Sequence, residues 1–284
     1  MTPRNRGTAW RVVRTLLRNR LAVLGAAIIL TLVTAGVFAP LVAPRDYARQ
    51  SLERGYETPS KDFWLGTDQY GRDVFSRIVY GARISLAVGF LTVGIGLSVG
   101  VLVGVAAGYY GGKMGNILMR LMDVLLAMPS ILLSIAIAAS LGPGLFNLMV
   151  AVGISSVPRY ARIARGSALS IREMEYIEAA RASGSSDLHI LTRHVIPNCM
   201  APLIVQATLG VASAILNAAA LSFIGLGVQP PFPEWGAMLS EGRQFIRELP
   251  HLTIFPGLAI MITILGFNFL GDGLRDALDP RLRN

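Results

Sequence analysis

Five stretches of this chain carry no Asp, Glu, Lys or Arg: 21–44, 84–112, 124–158, 195–233 and 252–271. About 20 apolar residues cross the hydrocarbon core of a bilayer, so runs of this length predict membrane-spanning helices. The composition agrees. Hydrophobic residues make up 53% of the 284 and charged residues 15%, against roughly 25% charged in a soluble domain.

The first, second and last runs are long enough for one span each. The third is cut by Gly142, Pro143 and Gly144, a turn signal, and predicts two spans. The fourth ends in GLGVQPPFP (225–233). Its prolines remove donors and clash with helical backbone, which leaves one span at 199–221 followed by a loop. The fold class expected is therefore all-α and integral to the membrane, with six transmembrane helices. The 21–44 run is too long for a signal-peptide core, and Pro44 follows the nearest small residues, so it is expected to be retained.

The basic residues orient the spans. Segments 1–20, 113–123, 159–194 and 272–284 carry +6, +1, +2 and 0; in a six-span chain they share one side and hold the whole net charge of +9. Segments 45–83 and 234–248 carry +1 and −1 and lie opposite. The positive-inside bias makes the first side cytoplasmic. The expected layout is a basic cytoplasmic N-terminus (1–20), a first transmembrane helix (21–44), an extracytoplasmic loop (45–83), a five-helix core (84–271) and a cytoplasmic tail (272–284). This accounts for the basic excess without nucleic acid; the partner it implies is lipid.

Gly96, Gly100, Gly104 and Gly108 recur every fourth residue in the second span. They are either a ridge for close helix contact or the ordinary glycine content of a membrane helix. Gln206, Gly210, Ser213 and Asn217 share one side of the fifth, either lining a hydrated path or hydrogen bonding between helices. Arg120 and Asp123 are spaced to pair. No acid or base is expected deep in a span, which argues against proton-driven transport.

Nothing in the chain meets the requirements of an enzyme. GYYGGKM (108–114) lacks the first glycine of a phosphate loop, and Met114 stands where Ser or Thr would hold magnesium. GIGLSV (94–99) lacks the third glycine of a dinucleotide fingerprint. DQYGRD (68–73) lacks the closing Glu of a calcium loop. His189 and His194, five apart, are poorly placed to share a helix face. Cys199 is the single cysteine, which excludes an intrachain disulfide.

The 173–194 segment is helix-prone and polar. Met174, Ile177 and Ala180 share a face over 173–183, and Gly184 supplies a left-handed helix stop. Ser185 and Ser186 offer an N-cap for a second helix with Asp187 in its first turn. Leu188, Leu191 and Val195 continue an apolar face, and Pro197 opens the fifth span. Helix, glycine corner and helix suit docking into a groove of another protein, or form a solvated loop.

Glu178, Ala179 and Ala180, then Gly184, then Ile196 and Pro197 resemble the EAA motif of ABC importer permease subunits. LGTDQYGRDVFSR (65–77), YGARIS (80–85), FIGLGVQPPFPEWGAM (223–238) and GDGLRDALDP (271–280) resemble the peptide/nickel branch, and most of all its C-type dipeptide permease subunits. His194 stands where the motif more often has an apolar residue. The resemblance covers about 15–284. It implies a type I importer in the bacterial inner membrane. A homologous second permease subunit, two ATPase subunits and an extracytoplasmic peptide-binding protein would be its partners. ATP and magnesium would be bound by the ATPases, with no cofactor in this chain. Glu178, Ala179, Ala180, Gly184, Asp187 and Pro197 would belong to the ATPase-coupling segment, and Gln206, Ser213 and Asn217 to a substrate path. Permeases for nickel, glutathione or D-amino-acid dipeptides are the alternatives within the branch; a secondary carrier is the rival outside it.

Overall fold

A computed structural model describes residues 3–278. The elements are α1 (Pro3–Arg18), α2 (Arg20–Val37), a one-turn α3 (Ala39–Val42), α4 (Val74–Tyr110), α5 (Gly112–Leu126), α6 (Ser130–Leu141), α7 (Leu145–Arg172), α8 (Glu175–Ala182), α9 (Asp187–Ile190), α10 (Ile196–Phe223), α11 (Trp235–Gly242) and α12 (His251–Leu278). A π turn, Leu191–Val195, joins α9 to α10. Residues 279–284 of the expected tail lie outside the described residues.

Among the described residues, four helices are long and apolar enough to cross a membrane, Arg20–Val37, Val74–Tyr110, the continuous Asp187–Phe223 and His251–Leu278, or five spans if the bent pair α5 and α6 counts as one. The third uncharged run departs from expectation. The turn at Gly142 and Gly144 is present, with φ of 85° and 147°. A second break, at Ala127, Met128 and Pro129, bends α5 against α6 by 88°. Pro129 has no N–H to continue α5, so the expected third helix is two short ones. α7 is long, but its second half carries Arg159, Arg162, Arg165 and Arg172.

The glycine ridge is a seam within the chain, between α4 and α7. A Cβ at Gly100 would stand 2.6 Å from that of Tyr160, one at Gly104 2.7 Å from that of Ala164, and one at Gly108 2.8 Å from that of Ala168. Backbones this close gain dispersion contacts that lipid would not replace. α2 packs on α12, where a Cβ at Gly25 would meet the Gly266 carbonyl oxygen at 2.6 Å.

Helix α4 begins ten residues before its uncharged run. Asp73 caps it by accepting from the Ser76 N–H at 2.9 Å, so 74–83 is helix rather than loop. The preceding residues, 43–73, form an ordered cap. Phe63 is buried between the guanidinium groups of Arg45 and Arg54, 4.1 and 4.4 Å from its ring centroid. Arg72, 1% exposed, donates to Asp68 at 2.5 Å and to Glu241 at 2.9 Å; Arg77 reaches the same Glu241 oxygen at 3.1 Å. This network ties the cap to the segment after α10, placing two loops assigned to the same side against each other. Gly71, at φ 67°, turns where a Cβ would lie 2.6 Å from the Ser51 carbonyl carbon. Glu234, buried, caps α11 by accepting from the N–H groups of Gly236 and Ala237.

Candidate functional site

At the end of the molecule away from the cap, α8 and α9 form an elbow. Ile177, Ile190 and Val195 are fully buried in one cluster with Tyr109, Ile171, Cys199 and Leu203. Helix α8 stops as expected: the Ser185 N–H bonds to the Ala180 carbonyl at 3.0 Å, the Gly184 N–H bonds to the Arg181 carbonyl at 2.9 Å, and Gly184 has φ +80°. Ser186 caps α9, with its hydroxyl oxygen accepting from the His189 N–H.

Two contacts hold the elbow to the end of α4. The Tyr109 hydroxyl donates to Asp187 at 2.7 Å, and Arg181 lies 5.0 Å from the Tyr109 ring centroid. Nearby, Arg172, just before α8, donates to the Gly108 carbonyl at 3.0 Å. Asp187 therefore does more than complement a helix dipole. Glu178 and Ala179 are exposed and Ala180 packs partly on the core. Met174, Tyr176 and Leu188 add exposed apolar surface beside them. The predicted faces are thus split: Ile177 points inward and Met174 outward; Val195 is buried and Leu188 is 71% exposed.

Pro197 lies in the first turn of α10, as expected, although α10 continues the helix before it. The chain runs as helix from Asp187 to Phe223, and the π turn just before Pro197 absorbs its missing N–H. Asn198 Nδ2 bonds back to the His194 carbonyl at 2.6 Å. The extra residue in the turn also corrects the histidine expectation: the His189 and His194 rings lie 5.9 Å apart, edge to face.

The residues proposed from the polar stripe separate into two cavities. Ser213 and Asn217 line one of about 60 Å³, with Thr92, Ser130, Ser156 and Arg159 among its walls. Gln206 lines another, of about 660 Å³, with Asn198, Pro202 and Arg275. Among the described residues, no hydrogen bond from the Gln206, Ser213 or Asn217 side chains crosses to another helix. Asp123 pairs with Arg162 at 2.7 Å, not with Arg120.

Arg159, expected at the start of the basic segment 159–194, continues the helix instead of opening a loop. It is the fifteenth of the 28 residues of α7 and opens onto the smaller cavity. The signal available was the unbroken helical pattern through Pro158, which lies inside α7.

Comparison with known proteins matches this architecture. Residues 100–284 match the family model described as binding-protein-dependent transport system inner membrane component. Residues 8–59 match the N-terminal TM domain of oligopeptide transport permease C. A dipeptide transport system permease protein of Alkalihalophilus pseudofirmus is 49% identical over 97% of this chain and 91% of its own. A glutathione transport system permease protein of Pectobacterium atrosepticum is 47% identical over 98% and 93%. The fold is similar to that of a chain in the inward-facing MetNI methionine ABC transporter, with a TM-score of 0.58 and 19% identity, covering 72% of this chain and 97% of that one. A core of long apolar helices, an ordered cap and an elbow with one buried and one exposed side thus accompany a family match over most of the chain: it belongs to the binding-protein-dependent transport system inner membrane components.

Proposed function

We propose that this chain is the C-type permease subunit of an ATP-driven importer of di- and oligopeptides. It works beside a homologous second permease subunit, above two ATPase subunits that bind ATP and magnesium, and below an extracytoplasmic peptide-binding protein. Six spans place both termini and the elbow in the cytoplasm and the cap outside. The observation that carries the reading is the elbow: exposed Glu178, Ala179, Met174, Tyr176 and Leu188 beside a buried anchor of Ile177 and Ile190. That is a surface shaped to be gripped on one side and rigidly held on the other.

The mechanism follows from this connection. Closure of the ATPases around ATP displaces the elbow. The Tyr109–Asp187 and Arg172–Gly108 contacts pass that displacement to α4, and the continuous Asp187–Phe223 helix passes it to the cap side. Gly184 and Asp187 fix the corner, and Pro197 lies in the helix just past the π turn. The two permeases then rock between inward- and outward-facing forms.

Proteoliposomes holding the assembled transporter test this. ATP and loaded binding protein are expected to drive dipeptide uptake; uptake that follows a proton gradient without ATP would overturn it. Glutathione is the second reading, favoured by the 47% identity to the Pectobacterium permease, and competition between glutathione and dipeptides for uptake separates the two.

A further inference from the structure

Arg159 is the one charged residue among the described residues lining the smaller cavity. It sits half-way along α7, and across the cavity stands Thr92, the nineteenth of the 37 residues of α4. An arginine on a helix packed among apolar helices faces a bundle interior or a hydrated cavity, with a partner there. Arg159 lines the cavity, is exposed at the surface of the chain and makes no salt bridge among the described residues, whereas Arg162, one turn on, is paired with Asp123.

Three further features point into the same space. Thr92 is 1% exposed, and its hydroxyl oxygen has no hydrogen-bond partner; a buried hydroxyl left so is unfavourable by about 1–3 kcal/mol. Helix α6 begins at the cavity with Ser130. Its N-cap is Pro129, which offers no side-chain cap, so the first-turn N–H groups and the positive end of the helix dipole, beside a cavity-lining Ser130, have no side-chain acceptor of their own. Ser213 and Asn217 close the far side. A cation, a helix N-terminus and unpartnered hydroxyl and amide groups converge, with no carboxylate of the described residues among the walls. The complementary ligand is a small planar anion. At about 60 Å³ the cavity takes a carboxylate with little else, not a peptide.

We propose that Arg159, the N-terminus of α6 and Thr92, with Ser213 and Asn217, form a subsite for the terminal carboxylate of the transported peptide. This rests on the peptide-import reading above. The break at 127–129, which shortened an expected span, is then what supplies the helix end. The subsite would hold one end of the substrate while its side chains remain in the wider space between the permeases, consistent with recognition by backbone rather than by sequence.

The test uses the assembled transporter in proteoliposomes, with binding protein loaded to saturation, and compares a dipeptide with its C-terminal amide. R159Q is expected to lower uptake of the acid about 10-fold or more, as loss of a charge-assisted pair predicts, and that of the amide less than about 2-fold. R159K is expected to fall between wild type and R159Q, and T92V to lower the acid selectively and less. R162Q, outside the cavity, leaves the acid-to-amide ratio unchanged. Equal loss for both peptides, or no loss, overturns the assignment while leaving peptide import standing. Should R159Q no longer co-purify with the second permease, and T92V leave the ratio unchanged, Arg159 pairs with that subunit and the assignment falls. A wild-type transporter that carries neither peptide removes the peptide reading itself.

Discussion

The cap and the elbow handle charge in opposite ways. In the cap, Arg72 and Arg77 are almost wholly buried, and both reach the carboxylate of Glu241. In the elbow, Glu178 is exposed, and the exposed apolar side chain of Met174 lies one helical turn away. A charge with its partners inside the same chain fixes that chain's own shape. A charge left outside, next to apolar surface, is available to another protein. The first end closes its charges on itself, and the second leaves them open.

The sharpest way to break this contrast is Arg72→Ala. It leaves Asp68 and Glu241 short of a buried partner and is expected to destabilise the cap by about 3–5 kcal/mol, read as loss of the full-length subunit to limited proteolysis at 43–73. A protease-resistant R72A protein would mean that the cap is held chiefly by the Phe63 stack. Next is Gly184→Val. No atom lies within 4 Å of a Cβ at this position, so the cost is backbone strain alone, about 1–2 kcal/mol. ATP hydrolysis is expected to persist while uptake falls, and Gly184→Asn, which tolerates positive φ, is expected to keep both coupled; equal behaviour of Val and Asn would dismiss the corner. Tyr109→Phe removes the bond to Asp187, worth about 1 kcal/mol, and is expected to raise hydrogen exchange over 175–190 without unfolding the core. The smallest effect is expected from Arg162→Gln. Its exposed pair with Asp123 contributes no more than about 1 kcal/mol, so thermal stability should be nearly unchanged; a large loss would mark that pair as part of an interface.

Much of the elbow was legible because its signals are local. Gly184 ends α8 through a left-handed stop, and Ser186 caps the next helix. The uncharged runs located α2, α4, α10 and α12 for the same reason. What could not be read depended on residues from different helices. The glycine ridge was ambiguous until α7 supplied Tyr160, Ala164 and Ala168 to fill it. Pro129 stood inside an apolar run whose hydropathy masks a break. A charge at Arg159 ends an uncharged run without ending the helix, because α7 continues to Arg172. The polar stripe was similarly incomplete. Ser213 and Asn217 share a cavity with a cation contributed by α7, while Gln206, on the same face of α10, opens into another.

The helix from Asp187 to Phe223 has 37 residues, about 55 Å at 1.5 Å per residue. Its far end packs Ala219 against Gly236, beside the buried Trp235. A rod of that length turns a tilt of a few degrees at its lower end into a sideways travel of several ångströms at its upper end. A displacement at the elbow can therefore reach the cap without unfolding or rewinding any part of the rod.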